Sequence, residues 1–237
     1  LLFITGAGIS ADSGLPTYRG VGGLYDVDTT AEGFSIEEIL SGEMLRESPQ
    51  LTWKYLMQIG SACRGATFNR AHQVRVEMEQ HFDRVCIVTQ NVDGFHSAAG
   101  STNVIDLHGN LNELVCTQCD FRERVENQQP LVLPPRCPRC EAVLRPDVVL
   151  FGEMLPGAKT ERLYHELRSG FDAVFSIGTS SGFHYIAWPI QLAKETGKLT
   201  VEINPGVTEV SQLVDVRIPL RASVALDAIW RRFKESV

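Results

Sequence analysis

Short apolar runs rich in valine and isoleucine recur along the 237-residue chain and limit the folds that it can adopt. The runs cover residues 1–5, 85–89, 104–107, 173–177, 199–203 and 214–219. Their apolar residues are continuous rather than strictly alternating, which is typical of strands buried on both faces of a parallel sheet. The chain is therefore predicted to contain such a sheet, with helices covering both sides.

Helical patterns separate several of these strands, at residues 71–81, 160–169 and 186–196. Gly197 follows the last of them, where a glycine commonly ends a helix. Alternating strands and helices predict an α/β fold with a doubly wound sheet. Ligands of such folds bind at the carboxyl ends of the strands, so polar residues that follow a strand are the first candidates for a functional site.

Two segments interrupt this alternation. One contains helix-prone pieces separated by glycines and acidic residues, and the other contains a proline cluster and paired cysteines. We expect a discontinuous main domain made of residues 1–27, 70–112 and 147–237. A loop with a helical insert would occupy residues 28–69, and a second insert, too small to have a core of its own, would occupy residues 113–146.

The second insert carries two Cys-x-x-Cys pairs, Cys116 with Cys119 and Cys137 with Cys140. This spacing is typical of a zinc ribbon, in which four thiolates form a closed tetrahedral shell around Zn²⁺. A closed shell leaves no position for water, so the metal is predicted to be structural. A thioredoxin-like redox pair is the alternative, and two matched pairs argue against it.

Composition and charge narrow the class of protein further. Cys86 lies inside an apolar run and reads as a core residue, and the chain start lacks the features of a secretion signal. A reducing, cytoplasmic location is the expectation. The net charge of −7 and the pI of about 5.4 argue against nucleic acid or a membrane surface as partner. No apolar run approaches the roughly 20 residues of a membrane-spanning helix, and we expect a monomer.

A glycine-rich turn, Gly6-Ala7-Gly8-Ile9-Ser10, follows the first strand. Its glycines would let the backbone approach a pyrophosphate, although such turns also occur without any ligand. The usual dinucleotide fingerprint also needs an acidic residue at the end of a second strand about 20 residues later. Asp26 and Asp28 stand at that distance but follow glycines rather than a strand. The pattern therefore does not fit an ordinary dehydrogenase.

Other strands also end in polar residues. Gly178, Thr179 and Ser180 follow one strand and Asn204 follows another, where they offer hydroxyl and amide groups to a nucleotide. The sequence Gln90-Asn91-Val92-Asp93 follows a third, and an Asx-type turn is an equal alternative reading of it. His108, followed by a glycine, ends a fourth strand and is a candidate general base.

Taken in order, these motifs resemble those of the sirtuins, the NAD-dependent protein-lysine deacylases. The resemblance spans essentially the whole chain and adds Gly14-Leu15-Pro16-Thr17-Tyr18-Arg19-Gly20 and Phe151-Gly152-Glu153 to the motifs above. It implies a Rossmann-like NAD-binding domain, a small zinc-binding domain, and an acyl-lysine peptide bound in the cleft between them.

The resemblance also implies roles for individual residues. His108 would be the base that activates a ribose hydroxyl, Asn91 would position the ribose or a water, and Asp93 would bind the nicotinamide carboxamide. The implied NAD contacts are Gly6, Ala7, Gly8, Ile9, Tyr18, Arg19, Gln90, Asn91, Val92, Asp93, Gly178, Thr179, Ser180, Asn204 and Ala222. Val148, Phe151, Gly152 and Glu153 would contact the substrate, and the segment 182–187, which lacks the proline usual in the family, would pair with its backbone.

The acyl preference is predicted from one helix. Sirtuins that remove succinyl and malonyl groups carry a Tyr-x-x-Arg pair, and the matching positions here are Leu56 and Ile59. An apolar pocket cannot stabilise a buried carboxylate without a partner, so removal of acetyl or other neutral acyl groups is predicted. The alternatives are a desuccinylase or demalonylase, if the alignment is shifted, a mono-ADP-ribosyltransferase on the same fold, and a non-enzymatic NAD-sensing or interaction module.

Overall fold

The computed structural model describes residues 1–17, 29–62, 65–125 and 132–236. Its strands are β1 (Leu2–Thr5), β2 (Cys86–Thr89), β3 (Val104–Asp106), β4 (Gly109–Cys116), β5 (Arg122–Arg124), β6 (Leu144–Val148), β7 (Ala173–Ile177), β8 (Leu199–Ile203) and β9 (Val216–Ile218). Its α-helices are α1 (Ile36–Ile39), α2 (Gly42–Glu47), α3 (Pro49–Ala62), α4 (Arg70–Glu79), α5 (Phe95–Ala98), α6 (Gly157–Arg168), α7 (His184–Glu195) and α8 (Ala222–Lys234).

The large sheet contains six strands in the order β3-β2-β1-β7-β8-β9, and every neighbouring pair is parallel. All six predicted apolar runs form its strands, so the predicted α/β fold with a parallel sheet is confirmed. β1 is buried at every position. Leu2 and Ile4 face one apolar cluster and Phe3 faces another on the opposite side of the sheet, as the twofold period of a strand requires.

Helices cover both faces of this sheet. α6 and α7 supply the cluster around Ile4, and α4 and α8 supply the cluster around Phe3, which includes the fully buried Trp230. Gly197 ends α7 with a φ of 68°, which confirms the predicted helix stop. Helix α8 is absent from the sequence-based prediction, although Leu226, Trp230 and its other apolar residues recur with helical spacing.

A second, smaller unit contains the antiparallel sheet β5-β4-β6 and the helices α1 to α3. One apolar cluster joins Trp53, Leu56 and Ile59 of α3 to Leu144 and Cys137 beside the cysteine pairs. The indole Nε1 of Trp53 donates a hydrogen bond of 2.9 Å to the Leu144 carbonyl. The two segments that interrupt the strand pattern therefore share one core, since a segment of about 40 residues rarely forms a stable core alone.

Among the described residues, no helix combines the length and the apolar character that a membrane crossing requires.

Candidate active site

Two glycine turns meet where β1 and β7 end. The Gly8 amide donates to the Gly178 carbonyl at 2.8 Å. A Cβ on Gly8 would lie 2.7 Å from Gly178 Cα, and Gly178 itself has a φ of 60°. A side chain at Gly8 would collide with the neighbouring backbone, and the left-handed conformation of Gly178 favours glycine. The glycines are thus required by the contact between the turns, whether or not a ligand lies beside them.

Side chains that follow three different strands are joined at this edge. Gln90 Nε2 donates to Thr179 Oγ1 at 2.7 Å, and Asn204 Nδ2 donates to the Thr179 carbonyl at 3.1 Å. Thr179 is buried. The structure therefore brings together residues that lie far apart in the sequence and that were predicted to contact one nucleotide.

Asn91 and Asp93 lie in a polar network with Ser10. Ser10 Oγ donates to Asp93 Oδ2 at 2.7 Å, and Asn91 Nδ2 donates to Ser10 Oγ at 3.2 Å and to the Gly6 carbonyl at 3.1 Å. The second Asp93 oxygen accepts the Phe95 amide at 2.9 Å. Burial raises the pKa of Asp93, against the hydrogen bonds from Phe95 and Ser10. Ser10 had no predicted role, although its place in the glycine turn brings it to this edge.

His108 occupies the junction between the two units. It follows β3 of the large sheet and immediately precedes β4 of the small one, and its carbonyl accepts the Val149 amide at 2.9 Å. Its Nε2 lies 2.7 Å from the Tyr185 hydroxyl. Burial lowers the pKa of His108, a backbone hydrogen bond with Gln90 opposes this, and the Lys159 cation adds to the lowering. The imidazole is therefore neutral at pH 7 and can accept a proton.

Gly109 permits this junction. Its φ is 89°, and a Cβ at this position would lie 1.8 Å from the Asp147 carbonyl oxygen. Because β4 and β6 pair at this point, with Gly109 opposite Val148, only a glycine can follow His108 here. The His-Gly pair of the sequence thus has a structural cause as well as a predicted chemical role.

The predicted substrate segment forms a turn fixed to the small unit. Arg145 Nη2 donates to Glu153 Oε2 at 2.8 Å, and the Leu150 amide donates to the same oxygen at 2.9 Å. The Phe151 amide donates to the Leu40 carbonyl at 2.9 Å. Gly152 has a φ of 78°. The Glu153 carboxylate therefore bonds to the protein itself, which gives it the function of holding this turn.

The structure places the remaining predicted residues as follows. Leu56 and Ile59 are buried in the apolar cluster that also contains Val148. The side chains of Ile9 and Ala222 are buried in the cluster around Phe3, so only their backbones are available to a ligand. Ala7, Val92 and Ser180 lie in the turns that follow β1, β2 and β7. Tyr18 and Arg19 lie outside the described residues.

The four cysteines form one cluster. Their sulfur atoms all lie within 4.8 Å of one another. The amides of Gln118 and Cys119 donate to Cys116 Sγ at 3.3 and 3.4 Å, and the Arg139 amide donates to Cys137 Sγ at 3.4 Å. Backbone amides directed at thiolate sulfurs and four converging sulfurs fit a tetrahedral zinc ion. The predicted cysteine cluster is confirmed.

The fold and these features together define a class, an α/β nucleotide-binding protein with an inserted zinc module. The Sir2 family model matches residues 6–184, and the chain belongs to the Sir2 family. It is 49% identical to NAD-dependent protein deacylase 2 of Pseudomonas aeruginosa, over 94% of this chain and 88% of that protein. It is 37% identical to the NAD-dependent protein deacylase of Aquifex aeolicus, over 99% and 95% of the two chains.

Solved structures agree with this assignment. The crystal structure of a Sir2 homologue in complex with NAD superposes with a TM-score of 0.88 at 34% identity, and covers 99% of this chain and 89% of that one. The resemblance to the sirtuins that the motifs indicated is thereby confirmed.

Proposed function

We propose that this chain removes acetyl and other neutral acyl groups from protein lysines and transfers them to the ADP-ribose of NAD. Sir2-family membership and relatives named as NAD-dependent protein deacylases support the reaction class. The observation that carries the proposal for this chain is the position of His108. It joins the large sheet to the small unit, its carbonyl accepts the Val149 amide of the substrate segment, and its neutral ring lies beside Tyr185.

The strand-end network supplies groups for NAD. The contacting turns at Gly8 and Gly178 would lie beside the pyrophosphate, with their own amides held by the Gly178 and Ile203 carbonyls. Thr179 and Asn204 would lie beside the adenosine half, and Asn91 and Asp93 would face the nicotinamide half. Because Ser10 already orients the Asp93 carboxylate, little reorganisation is needed when the carboxamide binds.

His108 would act after nicotinamide leaves. The acyl carbonyl oxygen attacks C1′ of the nicotinamide ribose, and the C1′–N bond to nicotinamide breaks. His108 then takes the proton of a ribose hydroxyl, whose oxygen attacks the acyl-derived carbon. Addition of water and transfer of the proton to the departing amine release free lysine and O-acyl-ADP-ribose, so the products balance without a covalent enzyme intermediate.

The four cysteines would hold Zn²⁺ and would not take part in this chemistry. A bound zinc ion with four thiolate ligands supplies folding energy to the small unit. The unit in turn provides the substrate turn that Arg145 and Glu153 fix. The segments 148–153 and 182–187 would receive the peptide backbone as an added strand.

The acyl pocket is proposed to be apolar. Leu56 and Ile59 offer no hydrogen-bond partner to an acyl carboxylate, and Val148 lies in the same cluster. An acidic acyl group buried here would lose its hydration without compensation. We therefore expect acetyl and longer neutral groups to be preferred over succinyl and malonyl groups.

One experiment tests the reaction and its main alternative. The protein is incubated with NAD and an acetyl-lysine peptide, and peptide mass, nicotinamide release and transfer of labelled ADP-ribose are followed. Loss of the acetyl mass only when NAD is present supports the proposal. Label on protein without deacetylation supports a mono-ADP-ribosyltransferase instead. Full activity in His108→Ala would contradict the assignment of the base.

A matched peptide panel tests the pocket. The acetyl, long-chain and succinyl forms of one peptide are compared in the wild-type protein and in the double variant Leu56→Tyr/Ile59→Arg. The double variant is expected to gain succinyl activity and to lose acetyl activity. A wild-type preference for the succinyl peptide would show that these positions do not determine the acyl group.

A further inference from the structure

Tyr185 is paired with the proposed base although the two residues are 77 positions apart. It lies in the first turn of α7, and its hydroxyl is 2.7 Å from His108 Nε2. The family motifs give the segment 182–187 a role in pairing with the substrate backbone, and they give none to the Tyr185 hydroxyl.

The tautomer of the ring determines what this contact means. For Nε2 to take the proton of the ribose hydroxyl, the hydrogen of the neutral ring must lie on Nδ1. In that tautomer Nε2 carries the lone pair, and the Tyr185 hydroxyl, 2.7 Å away, is its donor.

The tyrosine is held firmly in this position. Its ring stacks on Phe183 with a centroid distance of 5.3 Å and an interplanar angle of 14°. The His108 ring meets both aromatic rings edge-on, at interplanar angles of 90° to Phe183 and 77° to Tyr185. Tyr185 also packs on the core cluster around Ile186. Burial raises its pKa to about 12, so the hydroxyl keeps its proton at neutral pH.

We propose that Tyr185 is a positioning residue for His108, which holds the imidazole in the orientation and tautomer that present Nε2 to the ribose hydroxyl. This inference rests on the deacylation reaction proposed above. When the ribose hydroxyl arrives it replaces the Tyr185 hydroxyl as the donor to Nε2, and the aromatic contacts of Tyr185 and Phe183 keep the ring in place.

The order of steps provides a specific test. Nicotinamide leaves before His108 acts, so exchange of labelled nicotinamide into NAD in the presence of acetylated peptide reports the first step alone. Formation of deacetylated peptide also requires the base. The variant Tyr185→Phe retains the aromatic packing and loses the hydrogen bond between the Tyr185 hydroxyl and His108 Nε2. We expect deacetylation to fall by about tenfold while exchange stays within about twofold of wild type.

Tyr164→Phe is the matched control, because Tyr164 lies on α6 with its ring edge-on to Trp188 and makes no contact with His108 among the described residues. It is expected to leave both rates unchanged. An unchanged ratio of deacetylation to exchange in Tyr185→Phe would overturn the inference, as would a faster deacetylation. Inactivity of the wild-type protein in both assays would instead contradict the proposed function, so the two failures are distinguishable.

Discussion

The two units of this protein are stabilised in different ways. The large sheet has an apolar cluster on each face, and its strand-end network is built from direct hydrogen bonds between protein groups. The small unit has a single apolar cluster assembled from two chain segments, and Cys137, one of the four clustered cysteines, is fully buried within it. We therefore predict that the large unit folds by apolar burial alone, whereas the small unit also depends on a metal bound at its four cysteines.

The large unit also contains a buried polar group that weakens it. Arg75 is fully buried, and none of its guanidinium nitrogens has a hydrogen-bond partner among the described residues. His72 and His96 lie beside it with their rings 4.9 Å apart, and each has one unpaired nitrogen in the described part of the chain. By contrast, Ser10 and Phe95 satisfy the carboxylate of Asp93 in the strand-end network. The Asp93 carboxylate at the site is thus fully paired, whereas the Arg75 guanidinium in the apolar interior is not.

The largest expected effect comes from removing one thiolate. Cys137→Ala should release zinc and unfold the small unit, because four-thiolate zinc binding supplies about 10 kcal/mol or more of folding energy. Deacetylation is expected to fall at least about a hundredfold, since the substrate turn loses its support. Zinc content, activity and thermal unfolding provide the measurement.

Cys86→Ala is the matched control, because Cys86 is a buried cysteine of the large sheet. It should keep one zinc ion per chain. If Cys137→Ala instead retained a folded small unit without zinc, the proposed difference between the two units would be wrong.

The second prediction concerns acid stability of the large unit. Burial lowers the pKa of His72 from 6.5 to about 3, and it also lowers the pKa of His96. Below pH 6.5 the unfolded chain binds protons that the folded chain does not, so the stability should fall as pH drops from 6.5 towards 3. Each such histidine contributes about 1.4 kcal/mol per pH unit in that window. Denaturant unfolding between pH 4.5 and 7.5, followed by Trp230 fluorescence in a Trp53→Phe/Trp188→Phe background, measures the slope.

His72→Gln should reduce the dependence of the unfolding free energy on pH by the contribution of one histidine, about 1.4 kcal/mol per pH unit. His165→Gln, a change at an exposed position of α6, should leave it unchanged. Equal slopes in wild type and His72→Gln would show that His72 does not stay neutral in the folded protein.

A stabilising substitution is the third prediction. Arg75→Leu replaces an unpaired buried cation with an apolar side chain and should raise the free energy of unfolding by about 1–3 kcal/mol. The lost contact between the guanidinium and the Phe3 ring, 6.0 Å from its centroid, offsets part of this gain. Arg75→Lys keeps a buried charge and should not stabilise. A lower melting temperature for Arg75→Leu would indicate that the guanidinium has a partner in solution, such as a bound anion or water.

The smallest effect is expected where the two units meet. Glu153→Gln removes the ion pair between Glu153, whose side chain is 26% exposed, and Arg145, whose side chain is 17% exposed. The substrate turn is then held less firmly. The KM for acetylated peptide should rise about fivefold while kcat stays within about twofold, because a partly exposed pair contributes about 1 kcal/mol. Glu47→Gln, on the exposed side of α2, is the control for a lost negative charge. A fall in kcat with an unchanged KM would argue that Glu153 acts on the reaction itself.

Much of the fold follows from local pattern. Val- and Ile-rich runs identified all six strands of the large sheet. In the central strands β1, β2, β7 and β8 the reason is burial on both faces, which leaves no room for alternation. Paired cysteines identified the metal cluster, because a knuckle of four residues places two thiolates side by side. The sequence motifs also pointed to Gly8 and Gly109. The structural reason for both glycines is close contact with a neighbouring backbone, at Gly178 and at Asp147.

The sequence by itself therefore determined the strands of the large sheet, most of the helices that cover them, the four clustered cysteines and the family motifs. Tertiary structure alone decided that two separate inserts share one core, that Arg75 is buried, and that Tyr185 meets His108. The physical reason is the range of the interactions. Strand and helix patterns and cysteine knuckles depend on residues a few positions apart, whereas the partner of a buried side chain depends on how distant elements pack.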